Sequence, residues 1–291
     1  MKKLVIIKPN CHKLENHLWN YLGIYAYSIE IGTRVFNPSF FKWHRYFNLY
    51  TKESLMTKIV SFVPALHGFW WIILTLYGSY LVRFSTLCVR LTSGTLENLP
   101  PTVPERALDP CSTTYFIGWL FRNLTGLERH RDALITAFTP REAVLKYIKN
   151  ALEPLRGKQL IGIHIRQQPY KGFEDESFVV EPVRVRHILN EYLHEWKIEA
   201  KDVALVIVSD VAIDQSAFAG YLTFVMSGND VASLFLLSKC RVVIGTNSTF
   251  SNLAAWFGNV PHVVTTNEQM DWAYYENTTT YFQNKYATFA L

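Results

Sequence analysis

The chain has 291 residues, of which 49% are hydrophobic and 18% charged, enough apolar material for two packed domains and the wrong balance for a disordered chain. Its formal net charge of +5 suits a phosphate-bearing ligand or an anionic surface, but there is no dense Lys/Arg stripe and no nucleic-acid module, so a nucleic-acid partner is not expected. Cys11, Cys88, Cys111 and Cys240 form neither a Cys-x-x-Cys pair nor a zinc-spaced cluster, which argues against a disulfide scaffold and for reduced thiols in a cytoplasmic protein.

Residues 1–8, Met-Lys-Lys-Leu-Val-Ile-Ile-Lys, carry too short an apolar core for a signal peptide and read as a first β-strand. A loop over 9–14 leads to an apolar-periodic helix over 16–31, ended by Gly32. Residues 59–82 hold no Asp, Glu, Lys or Arg and carry Trp70, Trp71, Tyr77 and Tyr80. A single membrane crossing there would put the first strand-helix unit and the second half of the chain on opposite sides of a bilayer. Pro64, Gly68 and Gly78 also interrupt the stretch. A buried helical hairpin is therefore the first reading. A surface lying on a membrane, flanked by Lys52, Lys58, Arg83 and Arg90, is the second. The proline-rich stretch 99–110 reads as a surface connection, and 140–152 as a helix. The sequons at Asn123, Asn247 and Asn277 are read as chance matches.

From residue 160 onward, apolar runs at 160–165, 203–208, 222–225, 241–245 and 262–265 alternate with helical patterns at 182–196, 213–219, 230–240 and 250–258. Continuous apolar strands between amphipathic helices predict a doubly wound parallel sheet. The expected division is an N-terminal α/β domain over 1–153, carrying the apolar helical insertion, and a C-terminal Rossmann-like domain over 154–291. Two such domains facing each other leave a cleft, and ligands of open α/β sheets sit at the carboxyl ends of the strands.

Three places at strand ends carry chemistry. His164 and Arg166 share one face where the 160–165 run ends, because side chains alternate along a strand. Arg pairs with phosphate through two parallel donors. Asn247-Ser248-Thr249-Phe250-Ser251 follows the 241–245 run and opens a helix, so hydroxyls and helix N–H groups there form an anion site. Ser209-Asp210 ends the 203–208 run, where Asp210 serves either as a helix cap or as a contact to a ribose or base edge.

Together, His-x-Arg at one strand end, Ser-Asp at the next and Asn-Ser-Thr-Phe-Ser before a helix resemble the fucosyltransferase superfamily. The alpha-1,2-fucosyltransferase family, glycosyltransferase family 11, is the nearest type. Residues 234–258 carry the most specific part of the likeness, and residues 14–26 are similar to the family's N-terminal Leu-Gly-Asn-Gln loop and helix, with Leu14 and Asn16 in register. The resemblance does not extend over 36–153. It departs from the family at Gln167-Gln168-Pro169, where Arg-Gly-Asp is common, and at Glu15, where glycine is usual.

The resemblance implies a GT-B-like fold and inverting, metal-independent transfer of fucose from GDP-fucose to a glycan hydroxyl, with no cofactor beyond that donor. Arg166 would neutralise the β-phosphate, with His164 beside it. Ser248, Thr249 and Ser251 would take phosphate oxygens, flanked by Asn247 and Phe250. Ser209 and Asp210 would lie near the nucleoside, and Asn16 and His17 would line the cleft. Glu174 stands where some relatives place a carboxylate base. A glycan or glycolipid acceptor would suit a chain that is cytoplasmic or peripheral on the membrane through 59–82. Two alternatives stay open: a GT-B transferase with another nucleotide-sugar donor, and a non-catalytic homologue that binds a glycan or nucleotide.

Overall fold

A computed structural model describes residues 4–7, 13–37, 40–49, 87–90, 113–117, 123–167, 179–226, 228–265 and 269–277. Its contacts divide the chain into two compact units, meeting between Arg141 and Glu142. The apolar insertion 59–82, the 99–110 connection and Glu174 lie outside the described residues.

The first unit holds strands β1 (Leu4–Ile7), β2 (Arg34–Phe36), β3 (Leu87–Arg90) and β4 (Thr113–Ile117), all parallel, in the order β2-β1-β4-β3. Helix α1 (Leu14–Glu30) starts two residues before the expected position, so Asn16 and His17 belong to its first turn. It is buried nearly all round, which is why its apolar residues do not confine themselves to one stripe. Its end is set by Gly32 at φ +64°: Thr33 N donates to Ser28 O and Gly32 N to Ile29 O, a pairing that needs a left-handed residue at that point. A short helix α2 (Phe41–His44) and helices α3 (Leu124–Arg129) and α4 (Arg131–Ala137) complete the unit. Tyr21, Phe40, Phe47 and Phe138 meet edge-on or tilted in its core. Asn123, a sequon residue, is buried and caps α3, its side chain accepting from Gly126 N at 3.0 Å and donating to Gly23 O at 3.3 Å.

The second unit opens with α5 (Glu142–Leu152) and contains β5 (Gln159–Ile165), α6 (Pro182–Glu195), β6 (Val203–Ser209), β7 (Leu222–Met226), α7 (Asp230–Leu237), β8 (Val242–Gly245), α8 (Thr249–Gly258), β9 (His262–Val264) and α9 (Trp272–Asn277). The five strands are parallel in the order β7-β6-β5-β8-β9. The chain thus winds outward from β5 through β6 to β7, then returns to the other side of β5 with β8 and β9. The point of reversal lies between β5 and β8, and the carboxyl ends of these two strands form the crevice in which such sheets bind ligands. The expected helix over 213–219 is instead one 3₁₀ turn, Gln215–Phe218, with the carboxylate of Asp214 accepting from Ser216 N at 2.9 Å. The 3₁₀ turn takes up four of the twelve residues, 210–221, that join β6 to β7.

Alternation along β5 sorts its two faces. Ile161, Ile163 and Ile165 pack with Val185, Ile188 and Leu189 of α6. Gly162 faces Leu237 and Cys240 instead, where an added Cβ would come within 3.1–3.2 Å of them. His164 shares this second face and is directed at α8. Burying each isoleucine stabilises the unit by about 1.5–3 kcal/mol, so the register that turns His164 toward α8 is fixed by the apolar face opposite.

Candidate functional site

The loop from β8 to α8 and the carboxyl end of β5 supply one continuous polar cluster. Ser248 is the N-cap of α8, its hydroxyl accepting from Ser251 N at 3.2 Å. Ser251 Oγ lies 2.7 Å from His164 Nδ1, Ser248 Oγ lies 3.4 Å from the same nitrogen, and the two hydroxyls are 3.2 Å apart. Phe250 stacks on the other side of the imidazole, ring centroids 4.9 Å apart and planes 30° apart. His164 is thereby held on an edge and a face at once, with Arg166 following it out of the strand.

The close fit depends on Gly245. A Cβ there would stand 2.9 Å from His164 O and 3.0 Å from Ser251 Oγ, inside the separation such atoms adopt. Ser251 is fully buried, its hydroxyl against His164 and Ser248. Thr249 and Phe250 are half-buried, and the helix gives their N–H groups no intrahelical acceptor. The α8 N-terminus therefore concentrates partial positive charge at the crevice.

Asp210, after β6, is exposed and accepts the backbone N–H of Gln167 at 3.0 Å. It thus pins the segment immediately after Arg166. Ser209 Oγ accepts from Val211 N at 3.2 Å, shaping the same bend. His164, Arg166, Asp210 and the 247–251 turn are accordingly assembled at one edge of one sheet. Asn16 and His17 belong to the first unit. His17 is buried against Trp43, ring centroids 4.8 Å apart, and Asn16 Oδ1 is buried with no hydrogen-bond partner among the described residues. Among the described residues, no group of three or more His, Cys, Asp or Glu side chains is placed to hold a metal ion. No described helix is long and apolar enough to cross a membrane.

Sequence reasoning missed a second layer below the turn. His262 of β9 and Asn252 of α8 are both fully buried. His262 Nδ1 lies 2.8 Å from the Asn252 amide oxygen, His262 Nε2 lies 3.3 Å from Gly245 O, and the Asn252 amide reaches Asn247 at 3.2 Å. Burial pushes the His262 imidazole down to about 3, so it is neutral at ordinary pH. Thr246 and Thr265, at the ends of β8 and β9, bury hydroxyls with no hydrogen-bond partner among the described residues. The only sequence signal was polar residues inside or at the end of apolar strand runs.

Neither a protein-family profile nor a curated protein sequence matches the chain. Solved structures do match in shape. A point mutant of Arabidopsis thaliana FUT1 in complex with GDP superposes with a TM-score of 0.56 at 11% identity, over 96% of this chain and 74% of that one. POFUT1 in complex with GDP-fucose gives 0.53 at 10%, over 90% and 97%. The alpha-1,6-fucosyltransferase NodZ, whose structure is also known from Bradyrhizobium, gives 0.51 at 13% when soaked with GDP-fucose, over 89% and 94%. The chain is a mixed α/β protein of GT-B-like architecture and has the fold of these fucosyltransferases.

Proposed function

We propose that the chain transfers fucose from GDP-fucose to a glycan hydroxyl, with inversion and without a metal. One observation carries the reading: His164, the start of α8 and the segment bearing Arg166 converge at the switch point of a parallel sheet, an arrangement made for a diphosphate. The shared fold with proteins whose structures contain GDP or GDP-fucose supports the choice of donor.

In this reading Arg166 and the N–H groups opening α8 hold the diphosphate, with Ser248 and Thr249 beside it. His164 keeps the turn in place through Ser251 and Ser248, and Phe250 keeps His164 in place. Asp210 fixes the segment after Arg166 through Gln167 and borders the nucleoside with Ser209. The acceptor oxygen attacks the anomeric carbon and forms the new C–O bond. The bond to the β-phosphate oxygen breaks on the opposite face, and its electron pair leaves with GDP. Charge grows on the leaving diphosphate, where fixed donors lower the barrier most. The acceptor proton passes to a base, for which Glu174 is the candidate. The absence of an Asp-x-Asp pair from the sequence supports the metal-independent route.

Thermal unfolding with GDP, UDP and GDP-fucose, on wild type and Arg166→Ala, tests the reading. Ligand at a hundred times its Kd stabilises by about 2.7 kcal/mol, a shift of several degrees. Wild type is expected to rise with GDP and GDP-fucose but not UDP, and Arg166→Ala to lose the rise. A response to UDP alone assigns a different donor, and a response to none removes the transferase reading.

A further inference from the structure

The donor site proposed above depends on where Arg166 leaves β5, and that departure is held by a frame outside the site. We infer that Arg186 of α6 is a positioning residue for the donor diphosphate: it locks the β6–β7 connection onto α6, and the two together fix the peptide that follows Arg166. The inference rests on that donor-site reading.

The peptide group joining Arg166 to Gln167 is gripped at both of its polar atoms. Its carbonyl, Arg166 O, accepts from Val180 N at 3.1 Å, two residues before α6 begins. Its N–H, on Gln167, donates to the Asp210 carboxylate at 3.0 Å, directly after β6. A peptide group is planar and includes both flanking Cα atoms, so gripping this one sets the Cα from which the Arg166 side chain springs.

The two grips stand on different elements, α6 and the connection 210–221, and they hold Arg166 in one place only if those elements keep one relation. Arg186 ties them. Its Nη1 donates to Ala217 O and to Ala219 O, both at 2.9 Å, where the 3₁₀ turn ends. That nitrogen carries two hydrogens, one for each carbonyl. The guanidinium also lies 5.0 Å from the centroid of the Tyr221 ring, a cation–π contact. One helical turn along the same face of α6, the Asn190 amide oxygen accepts from the Tyr221 hydroxyl at 2.7 Å. Without Arg186 the buried Phe218 still anchors the connection in the core, so the unit folds. Asp210 is then free to drift from Gln167 N, and Arg166 with it.

A double-mutant cycle on the full chain tests this. GDP is titrated by calorimetry into wild type, Arg186→Gln, Arg166→Ala and the double variant, to concentrations that saturate the weakest binder. Arg186→Gln is expected to bind GDP about tenfold more weakly than wild type, a coupling of the size that residues in one hydrogen-bond network show. In the Arg166→Ala background the same change is expected to cost less than about twofold, because Arg186 acts through Arg166. A charge felt by the diphosphate at a distance, or a general loosening of the unit, would weaken binding in both backgrounds alike. Equal weakening in the two backgrounds therefore overturns the inference, and so does unchanged binding in Arg186→Gln. If Arg186→Gln melts below the temperature of the titration, Arg186→Lys takes its place in the cycle with the same expectations, since it keeps the charge and loses the guanidinium fork. Wild type that does not bind GDP, or Arg166→Ala that binds it as wild type does, removes the donor-site reading itself, and the role of Arg186 with it.

Discussion

Gly245 shows how much of the site rests on an absent atom. Its Cα allows β8 to approach β5 closely enough for Ser251 to reach His164 at 2.7 Å. Gly245→Ala places a carbon 2.9 Å from a backbone oxygen that has little freedom to move. We expect a loss of about 1–3 kcal/mol, the usual cost of overpacking, and weaker GDP binding as His164 and Ser251 separate. Gly157→Ala is the control. Gly157 has φ +83° and open space around it, so alanine there adds backbone strain of about 1–2 kcal/mol but disturbs no neighbour. Denaturant melts of the two variants should look alike, whereas only Gly245→Ala should lower GDP affinity. Equal GDP affinity in both would mean that the close approach of β8 does not set the site. Neither effect is visible in the sequence, since Gly245 is simply the last residue of an apolar run. His164, by contrast, announced itself as a polar residue in such a run.

Helix α8 is where local sequence signals and packing agree most closely. Ser248 caps its start, and Asn259 at φ +52° closes its end, with Val260 N donating to Ala255 O and Asn259 N to Trp256 O. Between them Leu253, Ala254, Ala255 and Trp256 are fully buried. Ser248→Ala is expected to cost about 1 kcal/mol through the lost cap, and to reduce GDP binding as well, because the same hydroxyl borders His164. Trp256→Ala should cost about 3–5 kcal/mol with GDP affinity at saturating folded protein unchanged. Circular dichroism melts with and without GDP separate the two. An unchanged GDP affinity in Ser248→Ala would leave the cap a structural feature only. The strands and helices of the second unit were legible because β6, β8, β9 and most of β5 are buried on both sides, which writes an uninterrupted apolar run, while β7 at the sheet margin is only half-buried. The 3₁₀ turn Gln215–Phe218 was overread as a helix because periodicity over seven residues does not distinguish one turn from two. The start of α1 was placed two residues late because Lys13 precedes it without a side-chain cap bond, so no capping residue marks the first turn in the sequence.

At the scale of the whole molecule, the sequence conveys the winding of the second sheet but not the polar layer beneath its crevice. That layer joins β9 to α8 and β8, and residues ten to seventeen positions apart show no periodicity that would link them. It does have a consequence for the stability of the unit. His262 is held neutral in the folded state, pushed down to about 3 from the ordinary 6.5 chiefly by burial. The unfolded chain takes up a proton at this histidine as pH falls through about 6.5, whereas the folded one does not until about 3. Between these values the unfolded state binds more protons, so stability falls with falling pH; above about 6.5 the group contributes no pH dependence. For a single such group the slope is about 1.4 kcal/mol per pH unit. His262→Gln removes the titration, and its amide can still donate to Gly245 O. Comparing denaturant midpoints of wild type and His262→Gln at pH 7 and pH 5 isolates the contribution from that of every other titrating group. Wild type should lose about 2 kcal/mol more than the variant over that interval. Parallel losses would mean that His262 takes up its proton in the folded state. A charged ring would then donate from both nitrogens, to the Asn252 oxygen and to Gly245 O.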